Sequence, residues 1–368
     1  MRPTRAAIDL DAIAANYRFI RNSLGRDRAI YCVVKADAYG HGAGPVARRL
    51  EREGASRFAV AIAEEGIALR RAGVAGEILL LNYSDPADAG VHRAYGLVPS
   101  LYDPAQAAAF GEATRGFHEP LPVHVKVDTG MGRIGFRLEG ISTLIDLVKR
   151  SPHLLVAGVF SNLSTADEPS SPATAKQVET MKAAVAAISS AGISPGVVHL
   201  ANSAGILLHS DTWLDGVRPG LALYGVSPAS DMPEERLVPA MTIETEVMAV
   251  NTIPANTPIG YGGRYVTRRD SQIAVVPIGY HDGFRRSFSG RIRVLMKGNE
   301  APVVGAVSMD LTLVDATGLG AETGDRVVCL GAADGRRVTA WDLARAADTV
   351  PYEILCGIGA RVPRAYAP

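Results

Sequence analysis

The residue with the most chemical potential in this sequence is Lys35. It follows the apolar run Ile30-Tyr31-Cys32-Val33-Val34 and precedes Ala36-Asp37-Ala38-Tyr39-Gly40-His41-Gly42. A dry setting lowers an amine pKa from about 10.4 and makes the lysine a base or a nucleophile. Such a lysine can form a Schiff base with a carbonyl cofactor. Taken alone, it reads more often as a strand-end lysine reaching for water. Four further clusters alter that reading. Lys126, Asp128 and Arg133 lie in Lys126-Val127-Asp128-Thr129-Gly130-Met131-Gly132-Arg133. Asn162 and Asp167 follow another apolar run. His199, Asn202 and Ser203 follow a third, and Arg218, Pro219 and Gly220 flank a fourth. Each has an ordinary reading: turn glycines, a helix cap at Ser203, an Asx turn at Asp128, a core histidine at His199. In combination, a lysine on one strand end faces residues suited to phosphate on distant ones. That pairing suits a phosphorylated aldehyde held at both ends, and pyridoxal phosphate is such a cofactor.

The elements that must position these residues alternate. Apolar runs suitable for strands lie at residues 30–35, 58–62, 78–82, 97–100, 123–128, 155–161, 197–201 and 221–224. Helical patterns fall between them, as at residues 64–71, 141–150 and 174–191. Strands and helices alternating in this way predict a TIM (β/α)8 barrel, which gathers its chemistry at the carboxyl ends of the strands. A doubly wound open sheet is the alternative. No GxGxxG follows an early strand, which weakens its dinucleotide-binding version. Before the barrel, residues 5–10 alternate loosely as a short strand. Asp9 or Asp11 can then cap a helix with the stripe Ile13, Tyr17, Ile20 and Leu24. The texture changes at the turn-rich stretch of residues 227–233. Beyond it, short alternating runs at 242–250, 273–277, 292–295, 303–307, 312–315 and 326–330 predict a mostly-β domain with a short helix at 341–347. The expected division is 10–228 for the barrel, and 229–368 with strand 1–9 for the β-domain.

Composition excludes several classes. The 368 residues are 47% hydrophobic and 21% charged, with 38 basic against 38 acidic side chains. No large field draws the chain to nucleic acid or anionic lipid. Residues 1–11 carry no apolar signal core, and no later run spans a membrane. Three scattered cysteines, Cys32, Cys329 and Cys356, fit reduced thiols without metal-ligand spacing. A cytoplasmic protein without a metal is expected.

The chain resembles the bacterial alanine racemases, a family of fold-type III pyridoxal-phosphate enzymes. Besides residues 34–42 and 127–135, the matching motifs are His199-Leu200-Ala201-Asn202-Ser203, Val217-Arg218-Pro219-Gly220, Tyr261-Gly262-Gly263, Pro277-Ile278-Gly279-Tyr280, Ser308-Met309-Asp310 and Pro351-Tyr352-Glu353. The resemblance implies a barrel and a β-domain, rejoined by residues 1–10, in a head-to-tail homodimer with shared sites. It implies interconversion of L- and D-alanine, supplying D-alanine for peptidoglycan. Lys35 would hold the cofactor covalently and serve as one base, with the partner subunit's Tyr261 as the other. Tyr39, Ser203, Gly220, Leu221 and Tyr352 would cradle the phosphate. Arg218 would face the pyridine nitrogen, and His199 would join the cofactor-binding set. Arg133 and the Met309 amide would hold the substrate carboxylate. Asp167, Tyr280 and Arg286 would line the access corridor. Lys126 matches a position that is N-carboxylated in some relatives; a plain lysine beside a chloride or water is the alternative.

Two departures stand out. Relatives commonly carry histidine where this chain has Asn162, and often arginine where it has Ala306. Altered kinetic constants and looser substrate choice are expected, with activity retained. Serine as substrate stays open, although a full-sized Tyr352 favours a small side chain. A decarboxylase-type relative would bring a glycine-rich phosphate segment that is absent here. A non-catalytic pyridoxal-phosphate carrier would lack the second domain.

Overall fold

The structure, a computed structural model, describes residues 2–25, 27–230 and 236–367. Two compact units emerge. The first comprises the described residues of Ile13–Ala38 and Ala43–Val238. It is a parallel barrel of strands Ala29–Val33, Arg57–Val60, Glu77–Leu80, Leu97–Val98 with Ser100–Leu101, Leu121–Lys126, Leu154–Phe160, Val197–His199 and Gly216–Val217. Leu97–Val98 pairs with the strand before it and Ser100–Leu101 with the strand after it. They are two halves of one strand broken at Pro99, which cannot donate to a ladder. Gly216 pairs with Ala29 and Val217 with Ile30, so the ring closes. Strand Ala29–Val33 is buried throughout, as a barrel strand covered on both faces must be. On the outside, helix Ala43–Arg52 turns Val46, Ala47 and Leu50 inward.

The last barrel strand differs from expectation. Residues 221–224 form a 3₁₀ turn, Leu221–Tyr224, and the strand is the two-residue Gly216–Val217. All four turn residues are buried. A short buried apolar run has the same signature in either conformation. The first strand also ends earlier than expected, at Val33, so Lys35 opens the following turn. The seventh ends at His199, not at residue 201. Of the turn-rich stretch 227–233, residues 231–233 lie outside the described residues.

The second unit holds residues 2–12, 39–42 and 239–367. Strand Arg5–Asp9 lies antiparallel to Met241–Glu246 and parallel to Arg364–Ala367, inside a ten-stranded sheet. Asp9 accepts the Ala12 amide at 2.8 Å and so caps the helix Leu10–Leu24. The run 242–250 is two strands, Met241–Glu246 and Ala249–Ile253. The closing helix is Ala340–Ala346, with a Thr339–Asp342 capping box. Helix Pro351–Cys356 and edge strand Arg364–Ala367 were not expected from the sequence. Buried Asp282 ties the unit together. It receives Arg2 at 2.8 Å, Arg361 at 2.9 Å and the Gly279 amide at 3.0 Å. Arg361 also reaches Asp310 at 2.7 Å.

Candidate active site

Lys35 is half-buried and opens a strained turn. Ala36, Asp37 and Ala38 take φ of 52°, 52° and 55°, a left-handed conformation that costs an L residue about 1–2 kcal/mol. The surroundings hold it there. The Ala36 amide donates to Glu65 Oε1 at 2.7 Å, and Glu65 Oε2 takes the Ala61 amide at 2.7 Å. Asp37 Oδ1 accepts the Ala43 amide at 2.7 Å. Strain that persists because its surroundings enforce it is typical of functional sites. Sequence reasoning missed Glu65, which looked like an ordinary surface acid on a helix.

Asp128 organises the loop after strand Leu121–Lys126. Its Oδ1 accepts the amides of Gly130, Met131 and Gly132 at 3.1, 2.9 and 3.0 Å. Burial pushes this carboxyl up, but the three amides outweigh it and hold it below its ordinary value. Gly135 has φ of 128°, and a Cβ there would meet the Asp128 nitrogen at 2.7 Å. Only glycine lets the loop fold back this closely. Arg133 projects from this loop and is exposed. Gln177 ties the loop to its neighbour, donating to Thr129 Oγ1 at 3.0 Å and to the Asn162 carbonyl at 2.9 Å. It too was unmarked in the sequence, hidden in a helical pattern.

Lys126 is buried. Its Nζ donates to the Leu81 carbonyl at 3.1 Å and lies 5.1 Å from the Phe160 ring centroid. Burial pushes its pKa down to about 7, and the positive charges of Arg218, Arg133 and Lys35 push the same way, against Asp128. The barrel mouth therefore concentrates cations.

Arg218 is buried, and every partner described is neutral. One guanidinium nitrogen donates to His199 Nδ1 at 2.8 Å and to the His199 carbonyl at 2.9 Å. The other reaches the carbonyls of Ser161 and Leu200, and Asn162 Oδ1 at 3.4 Å. Burial pushes its pKa down to about 9, still high enough to keep the charge at neutral pH. His199 is stacked between Tyr31, at 4.5 Å, and Phe160, at 5.2 Å. Burial, then the Arg218 charge, keeps its imidazole neutral.

Ser203 opens helix Ser203–Leu208, with Asn202 as its cap at 3.0 Å to the Gly205 amide. Ser203 Oγ accepts the amides of Gly220 at 3.0 Å and Ala222 at 3.2 Å. A hydroxyl has two lone pairs and one proton. Both lone pairs are taken, so the proton is left for an acceptor. This donor and the cation cluster fit a phosphorylated cofactor. Leu221 is buried beside Gly220.

In the second unit, Tyr39 and Tyr352 face each other with ring centroids 5.6 Å apart. Tyr39 is left-handed at φ 52° and buried, and burial pushes its phenol pKa up. Tyr261 sits in the 3₁₀ turn Tyr261–Gly263 and is 72% exposed. The Tyr280 amide donates to the Ser308 carbonyl at 3.0 Å and that of His281 to Met309 at 3.1 Å. This brings the Tyr280 segment against exposed Met309. Arg286 and, in the barrel unit, Asp167 are exposed, whereas Ala306 is buried. Among the described residues no acidic, histidine or cysteine cluster could hold a metal, and none of the three cysteines forms a disulfide. No described helix is long and apolar enough to cross a membrane.

Comparison with known proteins covers both units. Residues 8–228 match the alanine racemase N-terminal domain family and residues 240–366 the C-terminal domain family. An alanine racemase of Symbiobacterium thermophilum is 43% identical across 100% of this chain and 97% of its own length. The crystal structure of alanine racemase from D-cycloserine-producing Streptomyces lavendulae superposes with a TM-score of 0.96 at 36% identity, covering 100% of this chain and 98% of that one. The Bacillus anthracis alanine racemase with bound L-Ala-P gives 0.94 at 32% identity, covering 100% and 96%. With both domain families and full-length relatives in agreement, the chain belongs to the alanine racemase family and is a racemase, an isomerase.

Proposed function

We propose that this chain binds pyridoxal phosphate through Lys35 and racemises alanine by a two-base mechanism. The observation that carries the reading is the gathering of Lys35, Arg133 and Arg218 around buried Lys126, a setting suited to an anionic cofactor. When bound, the cofactor supplies an electron sink that makes the α-proton of an amino acid removable. Ser203 would give its free proton to the phosphate, with Gly220, Leu221, Tyr39 and Tyr352 completing that set. Arg218 keeps its proton at working pH and so cannot act as the acid that protonates the ring nitrogen. An Arg218 that keeps its own proton at that position would limit side reactions such as transamination. Arg133 and the Met309 amide would hold the substrate carboxylate.

On one face of the α-carbon Lys35 Nζ would take or return the proton. On the other, the partner subunit's Tyr261 would do so. The high exposure of Tyr261 and Met309 supports a homodimer with shared sites. Carbamylation of Lys126 belongs to this proposal, since only a neutral amine reacts with carbon dioxide and burial keeps much of this one neutral. Asp167, Tyr280 and Arg286 would line the corridor. The proposal also includes a cytoplasmic location, a role in supplying D-alanine to peptidoglycan, and domain boundaries at residues 10 and 228.

An absorbance spectrum followed by a chiral assay tests the reading. Expected are a band near the visible edge that borohydride abolishes, label on Lys35, and D-alanine forming much faster than D-serine. No band after reconstitution with pyridoxal phosphate overturns it. Comparable rates on both amino acids would move the reading to a broader racemase of the same scaffold.

A further inference from the structure

Arg218 does not end at His199. On the far side of that ring, His199 Nε2 lies 3.0 Å from His124 Nδ1, and both rings are buried in the barrel. His124 Nε2 in turn points at Glu77 Oε1, 4.0 Å away. Neither of these two atoms has a hydrogen-bond partner among the described residues. The chain Arg218, His199, His124, Glu77 thus crosses the interior of the barrel unit.

Proton positions along it follow from elementary chemistry. A guanidinium donates and has no lone pair to accept with. His199 Nδ1, facing Arg218, must therefore be the bare nitrogen. A neutral imidazole carries one proton, so it sits on Nε2 and is donated to His124. His124 Nδ1 must then be bare as well, and its own proton sits on Nε2, aimed at the Glu77 carboxylate. One fixed cation thereby dictates the tautomers of two histidines.

The pocket is shaped for this second ring. Gly158 stands against it, and a Cβ there would meet three His124 ring atoms at 2.4, 2.6 and 2.7 Å. Tyr31 packs edge-on to His124 at 5.6 Å while stacking on His199. The charged groups around the pair are Arg218, Arg57 and Glu77. Burial, then the charges of Arg218 and Arg57, pushes the His124 pKa down to about 3.

We propose that His124 is a positioning residue for Arg218, acting through His199 along this one-way chain of hydrogen bonds. Without an acceptor at residue 124, the His199 Nε2 proton is buried and unpaired. Moving it to Nδ1 would satisfy His199 only by taking the acceptor away from Arg218. The first outcome strands a buried donor beside Arg218, and the second takes from the guanidinium its one imidazole acceptor, leaving only oxygen partners. The role rests on the reading that Arg218 faces the cofactor ring nitrogen; the tautomers do not.

The first measurement is ¹⁵N–¹H correlation spectroscopy of histidine-labelled holoenzyme at neutral pH. Both His124 and His199 are expected to be neutral and protonated on Nε2. A proton on Nδ1 of His199, or an imidazolium at either residue, overturns the proposal. The second compares His124→Leu, which removes the acceptor, with His124→Asn, whose Oδ1 stands where the ring Nδ1 stood. His124→Leu is expected to lower kcat about tenfold, the worth of one buried hydrogen bond, with KM for alanine little changed. The share of transamination should rise, and His124→Asn should recover most of both. Reduced stability with unchanged His199 tautomer and unchanged partition would mean a space-filling role only, and would sink the idea. Should His124→Leu not fold, the tautomers of the parent enzyme still decide. Loss of the borohydride-sensitive band in the parent would refute the cofactor reading and leave the tautomers standing.

Discussion

Ser203 Oγ accepts the Gly220 amide at 3.0 Å, joining the loop after the seventh barrel strand to the segment after the eighth. The Ala222 amide shares the same oxygen. Ser203→Ala leaves two buried donors without an acceptor, at about 1–3 kcal/mol each. Denaturant unfolding of the apoprotein is expected to show a loss of about 2 kcal/mol or more. Dialysis should strip cofactor from the variant faster than from the parent. Equal retention would separate Ser203 from phosphate binding.

The left-handed turn after Lys35 depends on Glu65, which takes amides from both Ala36 and Ala61. Glu65→Ala is expected to release the strain and let the turn relax. Stopped-flow reconstitution with pyridoxal phosphate should slow by about tenfold, the effect of about 1.4 kcal/mol. An unchanged rate would mean that the turn persists without this carboxylate.

Lys126 makes the pH dependence of stability predictable. Its native pKa is about 7, whereas in the unfolded chain it is about 10.4. Between these values the unfolded chain binds a proton that the native protein lacks. Stability therefore rises with pH through this window, and the penalty is full below it. Lys126→Met should flatten that part of the curve relative to the parent in the carbon-dioxide-free apoprotein. Parallel curves would contradict the burial argument.

His124 gives the complementary window. Its native pKa of about 3 lies below the unfolded value of about 6.5. Stability present above pH 6.5 is lost as pH falls towards 3, because the unfolded chain takes up the proton first. Urea titrations of His124→Gln should show a shallower loss of stability between about pH 6 and 4.

Asp282 is buried and holds both Arg2 and Arg361. Asp282→Asn removes the buried charge that both arginines share, while the arginines themselves stay partly solvated and Arg361 keeps Asp310. A clear fall in thermal midpoint is expected, together with protease sensitivity near residues 1–9. Nearly unchanged melting would show that solvent replaces the carboxylate.

Asn162 and Ala306 are the two positions expected to depart from the family pattern. Asn162→His takes away the Oδ1 that accepts from Arg218 at 3.4 Å. Ala306→Arg places a cation at a buried position, so the side chain must find a way out. Single-turnover rates and side-product ratios should shift in both while activity persists. Variants that match the parent throughout would remove any role for these departures.

Much of this protein was fixed by the order of its residues. The alternation of apolar runs and helical stripes predicted a barrel and left a doubly wound open sheet as the alternative, because a strand buried on both faces and an amphipathic helix have few ways to cover each other. The side chains suited to chemistry fell at or beside the ends of those runs, so Lys35, Lys126, His199, Ser203 and Arg218 stood out as candidates from residue type and place. What tertiary structure alone decided is pairing between distant segments. Gly216–Val217 is too short to show a period, and neighbours on both sides, not propensity, make it a strand. The left-handed turn at Ala36–Ala38 meets Glu65, far along the chain, whose carboxylate takes the Ala36 amide. His124 looked like any strand residue until folding set it 3.0 Å from His199. A hydrogen bond has a direction and a length of about 3 Å, and no one-dimensional pattern records which two groups will meet at that distance.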